Sequence, residues 1–167
     1  MTLIEVVQRL KDIALQMPNV RTATEGDVYD TLNTNPSVVY DVFHLTQGQH
    51  REDEEFDYYV FNMFYISRLT DDYNNRLQVQ SIGKTVLSNI IREFCDQIDI
   101  EFPDETQLMF NTFTEKFVDL CAGVYANVTF KINKDLVCGD GDELPVINIT
   151  ENGEFIFGGY KIVVDVE

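Results

Sequence analysis

The chain has 167 residues, of which 29 are acidic and 12 are basic, so its formal net charge is −17. So acidic a surface repels phosphates at long range, and the basic residues are scattered along the sequence, which argues against direct binding of DNA or RNA. No apolar run reaches the roughly 20 residues that a membrane-spanning helix needs. Three cysteines without a CxxC pair argue against a disulfide framework and favour folding in a reducing compartment.

The first seventeen residues predict an amphipathic helix rather than a signal peptide. Thr2 is the expected N-cap, and Glu5 completes a capping box three residues later. Pro18 ends the helix. Residues 19–36 look irregular, with a short helix over Glu25–Leu32 as one interpretation.

A hairpin with a long polar loop follows. Ser37–Thr46 and Phe56–Leu69 are rich in β-branched and aromatic residues and predict strands, and Gln47–Glu55 forms a charged tip between them. Both faces of the second strand are largely apolar. Either the strand is covered on both sides within the chain, or one face packs on its own helices and the other on a neighbouring subunit.

The next segment predicts a polar elbow at Asp71–Asn75, a short apolar–polar alternation over Leu77–Gln80, and a strong helix. The helix begins at Ser81 as N-cap and carries an apolar stripe at 3.6-residue spacing over Ile82–Ile98. We expect this helix to cross the sheet.

The last part of the chain predicts more strands. Gln107–Phe113 and Ala122–Asn133 read as strands with a turn over Thr114–Leu120, and an Asn-Gly pair at Asn152 predicts a β-hairpin near the C-terminus. The predicted fold is α+β: an antiparallel sheet with a long hairpin, packed by two or three helices. We place an α+β domain over residues 1–135 and a C-terminal β-hairpin arm over 136–167.

Enzyme signatures are missing from the sequence. There is no Gly-rich phosphate loop, no nucleophile elbow and no His-Glu metal motif. His44 lies within a strand and is expected to be a core or edge residue, and His50 lies in the charged tip. The acidic Gly/Asp segment around Asp140 and Asp142 does not match the EF-hand spacing. We therefore predict no catalytic residue, no metal site and no cofactor.

One resemblance adds to this interpretation. Tyr58–Leu69 followed by Thr70-Asp71-Asp72, the segment 75–81, the helix to Phe94, and the later segment Phe117–Val124 resemble the tail-terminator or tail-completion proteins of tailed bacteriophages. In length and style the chain is also similar to the neck ring proteins of crAss-like phages. The resemblance covers about residues 1–133, and the arm departs from the family pattern.

The resemblance implies a structural virion protein, assembled in the cytoplasm of the bacterial host. It implies a subunit of a six- or twelve-fold ring that joins portal and tail, contacts portal or other neck and tail proteins, and surrounds the DNA channel without binding DNA specifically. It implies no membrane partner. An alternative, motivated by charge alone, is an acidic DNA mimic that binds a nucleic-acid-processing protein.

Two sets of residues follow as candidate sites for a ring subunit. The subunit or partner interface is predicted to use one face of the long strand and the arm: Tyr59, Phe61, Met63, Tyr65, Ile147, Ile149, Phe155, Phe157, Tyr160 and Ile162. The acidic residues predicted to face the channel or solvent are Glu52, Asp53, Glu54, Glu55, Asp140 and Asp142.

Overall fold

A computed structural model describes residues 1–34, 38–70, 73–100 and 108–134, and the backbone of residues 148–149, 155–157 and 160–162. The chain divides into two compact units, Met1–Asn133 and Lys134–Glu167. The first unit is α+β, as predicted: a mixed sheet of six strands packed against three helices.

The first helix, α1, spans Leu3–Gln16 and has the predicted capping box. The Thr2 hydroxyl accepts a hydrogen bond from the Glu5 amide at 3.3 Å, and the Glu5 carboxylate accepts one from the Thr2 amide at 2.6 Å. These two bonds satisfy amides that have no partner within the helix. The apolar face of α1 is buried: Val6, Val7, Leu10, Ile13 and Ala14.

The described residues of the first unit also form six strands and two further helices. In chain order they are β1 (Thr22–Glu25), α2 (Val28–Thr34), β2 (Val42–Gln47), β3 (Arg51–Glu52), β4 (Phe56–Arg68), α3 (Arg76–Gln97), β5 (Phe110–Lys116) and β6 (Leu120–Asn133). The main sheet has the order β1-β2-β4-β6-β5, and β3 pairs with β4 beyond the end of β2.

The sheet is mixed rather than purely antiparallel, which corrects the prediction. Strand β1 pairs in parallel with β2, with Thr22 opposite Val42 and Glu25 opposite Leu45, while all other pairs are antiparallel. Sequence analysis missed β1 because its four residues, TATE, are short and mostly polar. Strand β1 is held in the sheet by main-chain hydrogen bonds to β2, and the hydrophobic pattern of its own four residues does not indicate that pairing.

The core lies between one face of the sheet and the helices α1 and α3. Because side chains alternate across a strand, every second residue of β4 and β6 faces these helices. The closest aromatic contact joins Phe94 of α3 to Phe130 of β6, with ring centroids 4.6 Å apart. A Cβ at Gly83 of α3 would lie 2.8 Å from the Tyr65 ring. The absence of a side chain there lets the helix approach the sheet closely.

Helix α3 begins five residues before the predicted N-cap, Ser81, so the predicted alternation over Leu77–Gln80 is helical. Val79 is buried and continues the apolar face through Gly83 and Val86 at helical spacing, while Leu77 is 73% exposed. The elbow before the helix is closed by Asn75, whose side chain accepts from the Thr70 amide and donates to the Arg68 carbonyl.

The turn between β5 and β6 is shorter than predicted. Strand β5 continues to Lys116, and the chain reverses over Phe117–Asp119, where the Phe117 amide donates to the Asp119 carbonyl at 3.0 Å. The predicted start of this strand at Gln107 lies outside the described residues.

The described residues of the second unit form three short antiparallel strands, β7 (Asn148–Ile149), β8 (Phe155–Phe157) and β9 (Tyr160–Ile162). The pairing of β7 with β8 is the hairpin that the Asn-Gly signal predicts, although Asn152 and Gly153 lie outside the described residues. Strand β9 is a third strand beyond the predicted two-stranded hairpin.

Replacing Ile90 with Asp should prevent stable folding. Ile90 lies on the buried side of α3 and is fully buried, so an ionised carboxylate there would have no compensating partner. We expect a loss of more than about 4 kcal/mol of unfolding free energy, or no cooperative transition at all, in urea denaturation followed by circular dichroism. Asn89→Asp is the matched control, because the neighbouring side chain is exposed and should tolerate the same charge. A folded Ile90→Asp protein would contradict the position of α3 in the core.

Candidate assembly surfaces

The four interface residues predicted on the long strand lie in the core of their own chain. Phe61 and Met63 are fully buried, Tyr65 is 2% exposed and Tyr59 is 9% exposed, and all four pack in the cluster beneath α1 and α3. The Tyr59 hydroxyl also donates to the Met1 carbonyl at 2.7 Å. These side chains are not available to a neighbouring subunit, and the prediction chose the wrong face of β4.

The predicted interface residues of the arm lie on or beside the strands of the second unit. Ile149, Phe155, Phe157, Tyr160 and Ile162 belong to the paired strands β7, β8 and β9. Their backbone pairing places Ile149 opposite Phe155, and Phe155 opposite Ile162. Ile147 lies outside the described residues, so the interface role of the arm stays a prediction.

The four acidic residues Glu52–Glu55, which we call the acidic prong, are all exposed at the tip of the β3–β4 hairpin. Asp53 differs from its neighbours because its carboxylate organises the turn. It accepts hydrogen bonds from the amides of Phe56 at 2.7 Å and Glu55 at 3.0 Å, and from the Tyr58 hydroxyl at 2.9 Å. These bonds, first that of the Phe56 amide, lower the pKa of Asp53.

Cations from the two strands that flank β4, β3 and β6, pack on aromatic rings of β4 at the base of the acidic prong. The Arg51 guanidinium lies 4.4 Å from the centre of the Tyr58 ring, and the Lys131 ammonium lies 3.7 Å from that of Phe56. Both distances are typical of cation–π contacts. The acidic prong therefore projects from a supported turn rather than from a loose loop.

A histidine and a glycine close the gap between β2 and β3 along the edge of β4. The Val60 amide donates to Nδ1 of His50 at 3.0 Å, and the Val60 carbonyl accepts from the Gly48 amide at 2.8 Å. A side chain and a loop amide thus replace the ladder partners that a continuous strand would supply. The other two predicted acidic residues, Asp140 and Asp142, lie outside the described residues.

Within residues 1–34, 38–70, 73–100 and 108–134, no helix covers the part of the second sheet face, opposite α1 and α3, over β4, β5 and β6 that we call the open face. Its eleven residues are Phe56, Tyr58, Val60, Asn62, Phe64, Asn111, Phe113, Tyr125, Asn127, Thr129 and Lys131. Seven of these are partly buried, and Asn111, Asn127, Thr129 and Lys131 are exposed. Sequence analysis recognised that β4 has two apolar faces but not which one is left open.

An aromatic cluster lies at the centre of the open face. The rings of Phe64 and Tyr125 are stacked at 5.6 Å, and Phe113 packs edge-on against Phe64 at 6.3 Å. Beside this cluster the Asn127 amide donates to the Asn62 carbonyl oxygen across the two central strands at 3.0 Å. Aromatic and amide side chains on an uncovered surface are typical of protein interfaces.

The opposite end of this sheet face is covered by the chain itself. Leu32 of α2 packs with Val42, Ile66, Cys121 and Phe117 in a second, smaller core cluster. The loop after β1 covers β2, where the Gly26 carbonyl accepts from the Thr46 hydroxyl at 3.0 Å. The open face is therefore only the part of the sheet that these elements do not reach.

His44 is a buried structural residue, which confirms the prediction of a core or edge position. Its Nε2 lies 3.2 Å from the Gly26 carbonyl, which can only accept, so Nδ1 accepts the Thr24 hydroxyl at 2.8 Å. Burial lowers the pKa of His44, which favours the neutral ring that these bonds require. Both ring nitrogens hold β1 and its following loop against β2.

Within residues 1–34, 38–70, 73–100 and 108–134, no three or more His, Cys, Asp or Glu side chains come together so as to hold a metal ion. Along the same ranges, none of the helices combines the length and apolarity that crossing a lipid bilayer requires.

Comparison of the sequence with protein-family models and with curated proteins gives no match.

Replacing Asp53 with Ala should loosen the acidic prong, because two amides and one hydroxyl lose their acceptor. We expect hydrogen exchange at the amides of Glu55 and Phe56 to become severalfold faster, measured by NMR, while the core amides of β4 stay protected. Glu54→Ala is the control, since it removes the same charge at the next position of the tip. Equal exchange in the two variants would contradict the organising role of Asp53.

Proposed function

We propose that this chain is a structural virion protein, a subunit of a ring in the neck or tail of a tailed bacteriophage that joins portal and tail and lines the path of the DNA. The proposal joins the resemblance of Tyr58–Phe94 to tail-terminator proteins with the distribution of charge over the fold.

The acidic prong carries this proposal. Four consecutive carboxylates stand exposed at one end of the longest strand pair, and the bonds to Asp53 together with two cation–π contacts fix the turn that presents them. A fixed acidic projection suits a channel wall, because it repels the phosphates of passing DNA at short range without offering a binding site.

The net charge supports the same role. At −17 for each chain, a ring of six copies carries a formal charge of −102, and a ring of twelve carries −204. A genome can slide past such a wall, whereas a basic lumen would retain it. The cost is repulsion between subunits, so a ring of this chain needs contact surfaces that are apolar or locally free of acid.

The acidic DNA-mimic alternative has less support. A mimic needs carboxylates spread over one surface in a duplex-like array. In the described part of the chain, the densest run of acidic residues is instead the single hairpin tip at Glu52–Glu55. The open face is mainly aromatic and amide in character, and the acids nearest to it are Asp53, which accepts from the Tyr58 hydroxyl, and Glu115, two residues after Phe113 on the same side of β5.

Antibodies raised against the purified chain should label the head-to-tail junction of intact virions in immunogold electron microscopy. The virions are those of the phage whose genome encodes the chain, and an antibody against the major capsid protein is the control, which should label heads. Absence of the chain from purified virions would contradict the proposal. Capture of a host nuclease or repressor by the purified chain, without any virion protein, would instead support the DNA mimic.

A further inference from the structure

We infer that His50 is a pH-sensitive switch: its neutral ring holds the segment between β2 and β3 on the edge of β4, and its protonated ring releases that segment. We call the arrangement in which the Val60 amide donates to His50 the closed state, and the arrangement without that bond the open state. In the open state the β3 side of the acidic prong loses its support on the sheet. The switch is a property of this fold and does not depend on the proposed function.

The hydrogen bond from the Val60 amide fixes the charge of the His50 ring in the closed state. The amide nitrogen lies 3.0 Å from Nδ1 of His50. Because a backbone N–H can only donate, Nδ1 is the nitrogen without a proton, and Nε2 carries the one proton of a neutral ring. A second proton on Nδ1 would set two N–H groups against each other. A protonated His50 and the closed state therefore exclude one another.

The surroundings of the other ring nitrogen also oppose a charged ring. Nε2 of His50 is buried and has no hydrogen-bond partner among the described residues. The ring packs against the core, with its centre 5.6 Å from that of Tyr59 and 5.5 Å from that of Phe61. A charged group that is buried without hydrogen-bond partners costs free energy, and in water both N–H groups would find acceptors. We therefore expect a protonated ring to leave this position for solvent.

Carboxylates lie on the elements around the His50 ring. Glu52 of β3, Asp57 of β4 and Glu5 of α1 all act electrostatically on Tyr59, against which the His50 ring packs. Their negative charges favour a proton on a ring that has moved out of the core toward them. The charge of this region therefore supports the open state once the ring is protonated.

The cations of the same region do not cancel this effect. The amino group of Met1 acts on the Glu5 carboxylate at the start of α1. Arg51 and Lys131 lie over aromatic rings on the opposite face of β4. On the side of the sheet where His50 packs, three carboxylates thus stand against one amino group, and the net local charge is negative.

The neighbouring backbone shows what the closed state holds in place. The Gly48 amide donates to the Val60 carbonyl at 2.8 Å, and a Cβ at Gly48 would lie 2.8 Å from Cγ1 of Val60. The loop therefore lies in close contact with Val60 and bonds both main-chain groups of that residue. Beyond the loop, β3 pairs with β4 over only two residues, Arg51 and Glu52. Loss of the His50 bond leaves β3 with this short pairing alone.

Two other titratable groups resist a proton in mild acid. Burial lowers the pKa of His44, the other histidine, so its ring stays neutral. The bond from the Phe56 amide, followed by that from the Tyr58 hydroxyl, lowers the pKa of Asp53, so the turn at the tip keeps its acceptor. Histidine ordinarily changes its charge between about pH 5 and pH 8. Acidification within that range should therefore open the switch and leave the turn at the tip intact.

NMR spectroscopy of the full chain at about pH 7.5 and about pH 5.5 tests the switch. The imidazole nitrogen shifts of His50 should show an unprotonated Nδ1 at the higher pH and a protonated ring at the lower pH. The protection factor of the Val60 amide, corrected for the intrinsic pH dependence of exchange, should fall about tenfold or more at the lower pH. That of the Phe56 amide should change less than about twofold, because Asp53 still accepts its hydrogen bond.

Two variants separate the hydrogen bond from the aromatic ring. His50→Asn keeps an acceptor, because the amide oxygen takes the place of Nδ1 and does not titrate, so Val60 protection should be equal at both pH values. His50→Phe keeps a ring but has no acceptor. Its Val60 amide should exchange at both pH values within a few-fold of the natural chain at the lower pH. Both variants retain His44, so a pH dependence that persists in His50→Asn would belong to another group.

Four outcomes would overturn the switch. They are a His50 ring that stays neutral at the lower pH, a protonated ring with a Val60 amide that stays protected, an undiminished pH dependence in His50→Asn, and slow Val60 exchange in His50→Phe. Each of these results leaves the labelling of virions unchanged, so failure of the switch and failure of the proposed function are distinguishable.

Discussion

The antiparallel pairing of β4 with β6 is the interaction on which the rest of this structure depends. It runs without a break over all thirteen residues of β4, from Phe56 opposite Asn133 to Arg68 opposite Cys121. One face of this pair receives α1 and α3 and forms the core, and the part of the other face beyond the smaller cluster around Leu32 is the open face. The acidic prong stands at one end of the pair, and the elbow at Asn75 leads from the other end into α3.

Local signals in the sequence predicted much of this fold. The capping box of α1, the long-tipped hairpin, the apolar stripe of α3 and the paired strands near the C-terminus each depend on residues close together in the chain. Elements that depend on distant partners were missed or misplaced. Strand β1 is held by β2 rather than by its own residues, and the start of α3 is set by burial of Val79 against the sheet.

The wrong choice of face on β4 has a specific physical cause. Both alternating sets of β4 are apolar, so the pattern of that strand alone does not say which set is buried. The deciding signal lies in β6, where Val124, Ala126, Val128 and Phe130 alternate with polar residues and with Tyr125. Once the register places Phe61 opposite Val128, the core face of β4 is fixed. That register depends on long-range pairing, which the sequence of β4 does not contain.

The division of the sheet into a core face and an open face links the fold to assembly. A chain of charge −17 resists association with its own copies, and the centre of the open face is aromatic rather than charged. The acidic prong has the opposite property and suits a surface that must repel DNA. One strand pair therefore presents a largely aromatic surface along part of its length and an acidic surface at its end.

A reconstruction of the neck of the intact virion tests this account most directly. The account predicts a ring of identical copies of this chain at the head-to-tail junction, with Glu52–Glu55 directed toward the channel. A virion in which no such ring is present, or a ring in which the acidic prong points away from the DNA, would contradict it.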